Sequence, residues 1–209
     1  MAFTSMLEAR IRIKYGQDVG LSSQFTLDCN WLTEGCQGGW GILAGFFTDF
    51  FHIVSDMCVP YTGTTGTNCQ NYKHCEPVAR TLSTYFVGGK YGQMTEELIM
   101  REIRANGPVM LDFAAGNDFL YYGEGVLVDN DQVHLNFLEQ KKKREINEKT
   151  GEANDLNFDD YHLQWQKITH ATLIIGWGWD EASQMKYWLV RNSYGPRYGL
   201  EGNFKLRRG

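Results

Sequence analysis

The sequence predicts an α+β fold in which a helical, disulfide-bridged half, residues 1–87, precedes a β-rich half, residues 88–209. Three observations predict it. Apolar residues recur at helical spacing early in the chain, all five cysteines fall between Cys29 and Cys75, and after Asn106-Gly107-Pro108 the apolar period changes from helical to alternating. With 209 residues, 43% apolar and 22% charged, the chain is long enough for a large core and is not a disordered segment.

Residues 2–15 read as a helix, because Phe3, Met6, Leu7 and Ile11 share one face and Gly16 stands where a terminating glycine belongs. A second helix is expected over 38–52, with Trp40, Leu43, Ala44, Phe47 and Phe51 on a stripe. Residues 58–77 are rich in Thr, Gly, Asn and Cys and read as a loop region held by bridges. Thr95 is a cap for a third helix, Glu96 and Glu97 suit its first turn, and Asn106-Gly107-Pro108 ends it. Strands follow at 109–113, 171–179 and 187–191, and the boundary between the halves is expected near Val87-Gly88-Gly89. Between Glu139 and Asp160, 12 of 22 residues are charged, which marks a solvated insertion between strands, with a processing loop or docking patch as the alternative.

The cysteine spacings, with intervals of 6, 21, 10 and 5 residues, lack the short pairs of a zinc site, and no metal or other cofactor is expected. Clustered cysteines instead suit disulfides in an oxidising compartment, with one of the five left over. A formal charge of −5 argues against nucleic-acid binding. The longest apolar runs are too short for a membrane span, and the first dozen residues lack the apolar core of a signal peptide.

Four stretches in order carry a resemblance. They are residues 21–29 (LSSQFTLDC) with 35–40 (GCQGGW), 169–178 (THATLIIGWG), 187–195 (YWLVRNSYG) and 199–204 (GLEGNF). Together they resemble the papain family of cysteine proteases, and residues 6–13, 58–64 and 204–209 resemble its cathepsin C (dipeptidyl peptidase I) branch. The resemblance implies a papain-like two-lobed fold, the helical lobe packed on an antiparallel β-barrel-like lobe with the active-site cleft between them. It implies His170 as the catalytic imidazole and Asn192 as the group that orients it. Such an imidazole activates a cysteine thiol and then protonates the leaving amine, with a thioester acyl-enzyme between the two steps.

By the same resemblance Gly38, Gly39, Thr169 and Tyr194 are substrate-binding, the glycines because only glycine permits close approach of the substrate backbone. Tyr194 and Tyr198 stand where relatives have tryptophan, Gly41 where they often have proline, and Thr169 where they have Asp or Asn. The implied bridges are Cys29–Cys69 and Cys58–Cys75, with Cys36 unpaired because its partner lies upstream. The family's Cys-Gly-Ser-Cys segment aligns just before Met1, so the nucleophile and the oxyanion-hole glutamine are expected upstream of this chain, and the 209 residues alone are expected to be inactive. The chain also stops at Gly209, before the segment that in relatives closes the floor of the S2 pocket. The expected partners are a peptide or protein substrate and an N-terminal protease segment, an exclusion domain or a larger assembly. The resemblance implies a lysosomal, vacuolar or secreted setting. The alternative is a non-catalytic papain-like domain serving as a binding or structural subunit.

Overall fold

The structure, a computed structural model, describes residues 1–66, 68–128 and 168–209. The charged segment at 139–160, with His134 and His162, lies outside the described residues.

Helix α1 (Ala2–Tyr15) ends at Gly16, whose φ of 68° is left-handed and whose N–H returns to the Arg12 carbonyl at 2.9 Å. Its Phe3 and Leu7 pack with Leu21, Ala44 and Ile53 into the core of a helical lobe. Helix α2 (Ser23–Cys29) escapes sequence periodicity because seven residues span only about two turns. It starts at Ser22, whose hydroxyl accepts from the Phe25 N–H at 2.9 Å and donates to the Val59 carbonyl at 2.7 Å. Gln24, almost fully buried, then clamps the neighbouring loop. Its Oε1 accepts from the Thr62 and Gly63 N–H groups, and its Nε2 donates to the Thr64 carbonyl at 2.6 Å.

Helix α3 (Gly41–Phe50) begins three residues later than the apolar stripe suggests. Gly38 and Gly39 have φ values of 114° and 153°, which no right-handed helix accommodates. A two-stranded antiparallel pair, β1 (Ile53–Val54) and β2 (Pro77–Ala79), completes this lobe. Cys29 is bridged to Cys69 and Cys58 to Cys75, with Cα separations of 5.1 and 5.9 Å. The described residues of 58–77 hold little regular structure beyond the 3-10 turn Cys69–Tyr72.

Helix α4 (Glu96–Asn106) is capped by Thr95, which accepts from the Leu98 N–H at 3.3 Å. It leads into β3 (Val109–Phe113), the short helix α5 (Asn117–Leu120) and β4 (Val126–Leu127). Strands β5 (His170–Asp180), β6 (Met185–Arg191) and β7 (Asn203–Arg207) finish the chain. The five strands form one sheet in the order β3-β5-β6-β7-β4, antiparallel except for the parallel β7–β4 pair.

That order corrects the expected antiparallel barrel-like lobe. The described strands make an open sheet, because β3 and β4 occupy opposite edges and do not pair with each other. Closure would require those edges to meet, and β4 contributes only two residues to its edge. The sheet packs its own core of Val109, Phe119, Ile174, Trp188, Val190 and Phe204, separate from that of the helical lobe.

The two lobes are joined where α1 meets α4 and β3. Arg10 of α1 donates to the Pro108 carbonyl at 2.9 Å and forms an ion pair with Glu102 at 3.0 Å. At the far end of the sheet, Lys205 of β7 bonds Asp180 of β5 at 2.5 Å, and the Ser183 hydroxyl donates to the same carboxylate. Lys205 first, and then Ser183, hold the Asp180 carboxyl down from 3.8 to about 2. A carboxyl depressed in the folded state adds stability that is present above its unfolded pKa, about 4, and is lost as pH falls through the folded value. Asp180→Asn should therefore lower the melting temperature near neutral pH, by an amount that shrinks as pH falls from about 4 through about 2. Circular dichroism melts across that range check this, and equal shifts at both ends would exclude the linkage.

Candidate active site

His170 opens β5 and Asn192 follows the last residue of β6, its antiparallel neighbour. Adjacent antiparallel strands place the start of one beside the end of the next, so two residues 22 positions apart become neighbours. Asn192 is buried at 6% exposure, and its backbone N–H donates to the Gly202 carbonyl at 2.9 Å. The His170 Nε2 and Asn192 Oδ1 atoms lie 2.8 Å apart.

A second bond decides how that contact is protonated. The Ser193 backbone N–H, which can only donate, points at Asn192 Oδ1 from 2.8 Å. The Oδ1 position is therefore the amide oxygen, and His170 Nε2 must carry the hydrogen it shares with it. In the neutral ring this leaves Nδ1 as the basic nitrogen.

Aromatic rings enclose the imidazole. Phe119, Tyr194 and Phe113 have ring centroids 5.1, 5.2 and 5.9 Å from that of His170. Phe119, only 1% exposed, is the inner wall, whereas Tyr194 is 51% exposed and forms the outer one. Tyr198 is buried behind them, and its hydroxyl donates to the Phe119 carbonyl at 2.7 Å, which pins α5 against the sheet. Phe119 went unassigned in the sequence because a four-residue helix has no readable period.

The remaining candidates are placed as follows. Thr169 is exposed beside His170. Its N–H donates to the Phe113 carbonyl at 3.1 Å and its hydroxyl accepts from the Ala115 N–H at 3.0 Å, so it ties the start of β5 to the loop after β3. Gly38 and Gly39 are exposed, between the 3-10 turn Gly35–Gln37 and α3. A side chain on Gly39 would start 2.7 Å from the Thr33 side chain, whereas Gly38 faces open space. Cys36 is exposed and unbridged, its sulfur 3.6 Å from the Gly63 carbonyl. Among the described residues no cysteine lies within hydrogen-bonding reach of His170.

One cluster has metal-ligand character, with His74 Nε2 lying 3.7 and 3.8 Å from the sulfurs of Cys58 and Cys75. Those sulfurs are bonded to each other, so neither offers a thiolate to a metal. No helix among the described residues is long and apolar enough to cross a membrane.

Residues 1–141 and 156–209 match the model of the papain family cysteine protease. The chain belongs to the papain family. It is 32% identical over 206 residues to cathepsin C of Schistosoma mansoni, covering 97% of this chain and 40% of that protein. It is 26% identical to dipeptidyl aminopeptidase 1 of Plasmodium falciparum, covering 92% of this chain and 34% of the relative. Among solved structures, the bromelain protease of Ananas comosus superposes with a TM-score of 0.70 at 25% identity, over 99% of this chain and 77% of that one. The chain thus spans well under half the length of these two curated relatives. It is a cysteine-peptidase-like domain of the papain family related to cathepsin C.

Proposed function

We propose that this domain carries the imidazole and amide of a thiol-peptidase site of the dipeptidyl-peptidase type, and that the nucleophilic cysteine lies on polypeptide outside residues 1–209. The observation that carries this reading is the His170–Asn192 contact with its fixed protonation. Asn192 holds the ring, and Nδ1 is left free to take a proton from a cysteine thiol. The thiolate adds to the scissile carbonyl, His170 returns the proton to the departing amine, and a thioester remains. Water, deprotonated by the same nitrogen, then releases the acid and the thiol. Gly38 and Gly39 are the proposed backbone-binding edge for the peptide, and Thr169 and Tyr194 border the imidazole. The two bridges favour an oxidising setting, such as a lysosome-like compartment or the exterior.

A second reading, a non-catalytic papain-like subunit, is favoured by one observation. The single unbridged thiol among the described residues, Cys36, contacts the Gly63 carbonyl and not the imidazole. Labelling the full natural polypeptide with a peptidyl epoxide, followed by peptide mapping, separates the two. The peptidase reading expects modification of a cysteine outside residues 1–209 that disappears in His170→Ala. No modification, or modification at Cys36 alone, selects the non-catalytic subunit.

A further inference from the structure

His74 stands against a disulfide, and the proposed peptidase chemistry uses neither. Its Nε2 lies 3.7 Å from the Cys58 sulfur and 3.8 Å from the Cys75 sulfur, the two atoms of one bridge. Local structure puts the ring there. The Cys75 N–H donates to the Tyr72 carbonyl at 2.9 Å and tightens the chain just after the 3-10 turn Cys69–Tyr72. His74 is thereby held in the turn that presents Cys75 to Cys58. The Cys75 side chain is buried with Val54 and Val59, whereas His74 is exposed and its contact with the Cys58 sulfur lies at the surface. A reagent in solvent therefore meets the Cys58 sulfur with the imidazole beside it.

The Cys29–Cys69 bridge differs. Cys29 is buried, and among the described residues no imidazole nitrogen makes such a contact with either of its sulfurs. The difference matters because a disulfide opens when a thiolate attacks one sulfur and the other departs, and departure is faster when the leaving thiolate is stabilised. A protonated imidazole against that sulfur stabilises it. The loop that the Cys58–Cys75 bridge closes also borders the proposed peptide edge. Its Gly63 carbonyl lies 3.6 Å from the Cys36 sulfur, and a side chain on Gly35 would start 2.5 Å from Thr65 Cγ2. Gly35 and Cys36 form the turn that leads into Gly38 and Gly39.

We propose that Cys58–Cys75 is a reducible bridge, opened by a dithiol with His74 as the acid for the departing sulfur. One thiolate of the dithiol bonds to the Cys58 sulfur and breaks its bond to Cys75. The Cys75 sulfur leaves with the electron pair and takes a proton from the His74 imidazolium. The second thiolate of the dithiol then displaces the Cys58 sulfur, which takes its proton from water. The dithiol ends as a disulfide, having passed two electrons to the two cysteines. Opening the bridge frees the loop beside the Gly35–Gln37 turn from one of its ties, and this chemistry does not depend on the peptidase reading.

Timed reduction of the folded full natural polypeptide with dithiothreitol, quenched by alkylation and read by peptide mapping, tests it. Cys58 and Cys75 should be alkylated while Cys29–Cys69 is still intact. His74→Gln should slow the opening of Cys58–Cys75 by roughly tenfold or more, the effect of losing the group that stabilises the leaving thiolate, and leave the Cys29–Cys69 rate unchanged. His74 is exposed and lies outside the apolar cluster around that bridge, so the substitution leaves the packed core untouched. Simultaneous opening of both bridges, or earlier opening of Cys29–Cys69, overturns the proposal. So does a Cys58–Cys75 rate that is the same in His74→Gln, or one that changes equally at both bridges.

Discussion

His170→Ala in the full natural polypeptide should lower kcat/KM on a dipeptide amide by roughly 10²–10⁴-fold, the range for loss of a general acid–base group. The loss should fall mainly on kcat, because in the proposed mechanism the imidazole moves protons and does not hold the peptide. Asn192→Ala should give a smaller loss of the same kind. That variant frees Nε2 to exchange its hydrogen and lets the ring turn, while Phe119 and Tyr194 still confine it. Steady-state kinetics of both variants check this. Activity retained in His170→Ala would remove both residues from the catalytic assignment, since nothing else ties Asn192 to the reaction.

Phe119→Ala should destabilise the domain by about 3–5 kcal/mol, the usual cost of truncating a buried aromatic side chain. The ring is 1% exposed and touches Phe113, Tyr198, Phe204 and the imidazole, so neighbours on β3, β5, β7 and the loop before β7 would face the resulting cavity. The stability loss appears as a lower denaturant midpoint with an unchanged slope. A loss below about 1 kcal/mol would mean that α5 collapses into the space, and the ring would then not be the fixed wall described here.

The two effects differ in how far the sequence reveals them. His170 and Asn192 stand in recognisable stretches, one opening an apolar run and the other closing one. Phe119 lies in a segment with neither period nor motif, and its place is set by the Tyr198 hydroxyl, 79 residues away. Helices α1 and α4 are legible because their signals are local. Gly16 supplies the left-handed turn of one, and Thr95 caps the other. Helix α2 is hidden because its buried Ser22 and Gln24 look like surface residues until the loop they clamp is in place.

The sequence by itself determined helices α1, α3 and α4 and strands β3, β5 and β6, through periodicity, caps and turn residues, and it also carried the family resemblance. Only the tertiary structure decided that the described sheet stays open, because whether two edges meet depends on strands far apart in the chain. It likewise decided which ring nitrogen of His170 carries the hydrogen shared with Asn192, which follows from the Ser193 N–H converging on the same oxygen. The environment of Asp112 belongs with these. Nothing near residue 112 in the sequence distinguishes it from a solvated strand carboxylate. Its burial arises because the start of α3, some 70 residues earlier, packs over this face of β3 beside Met110.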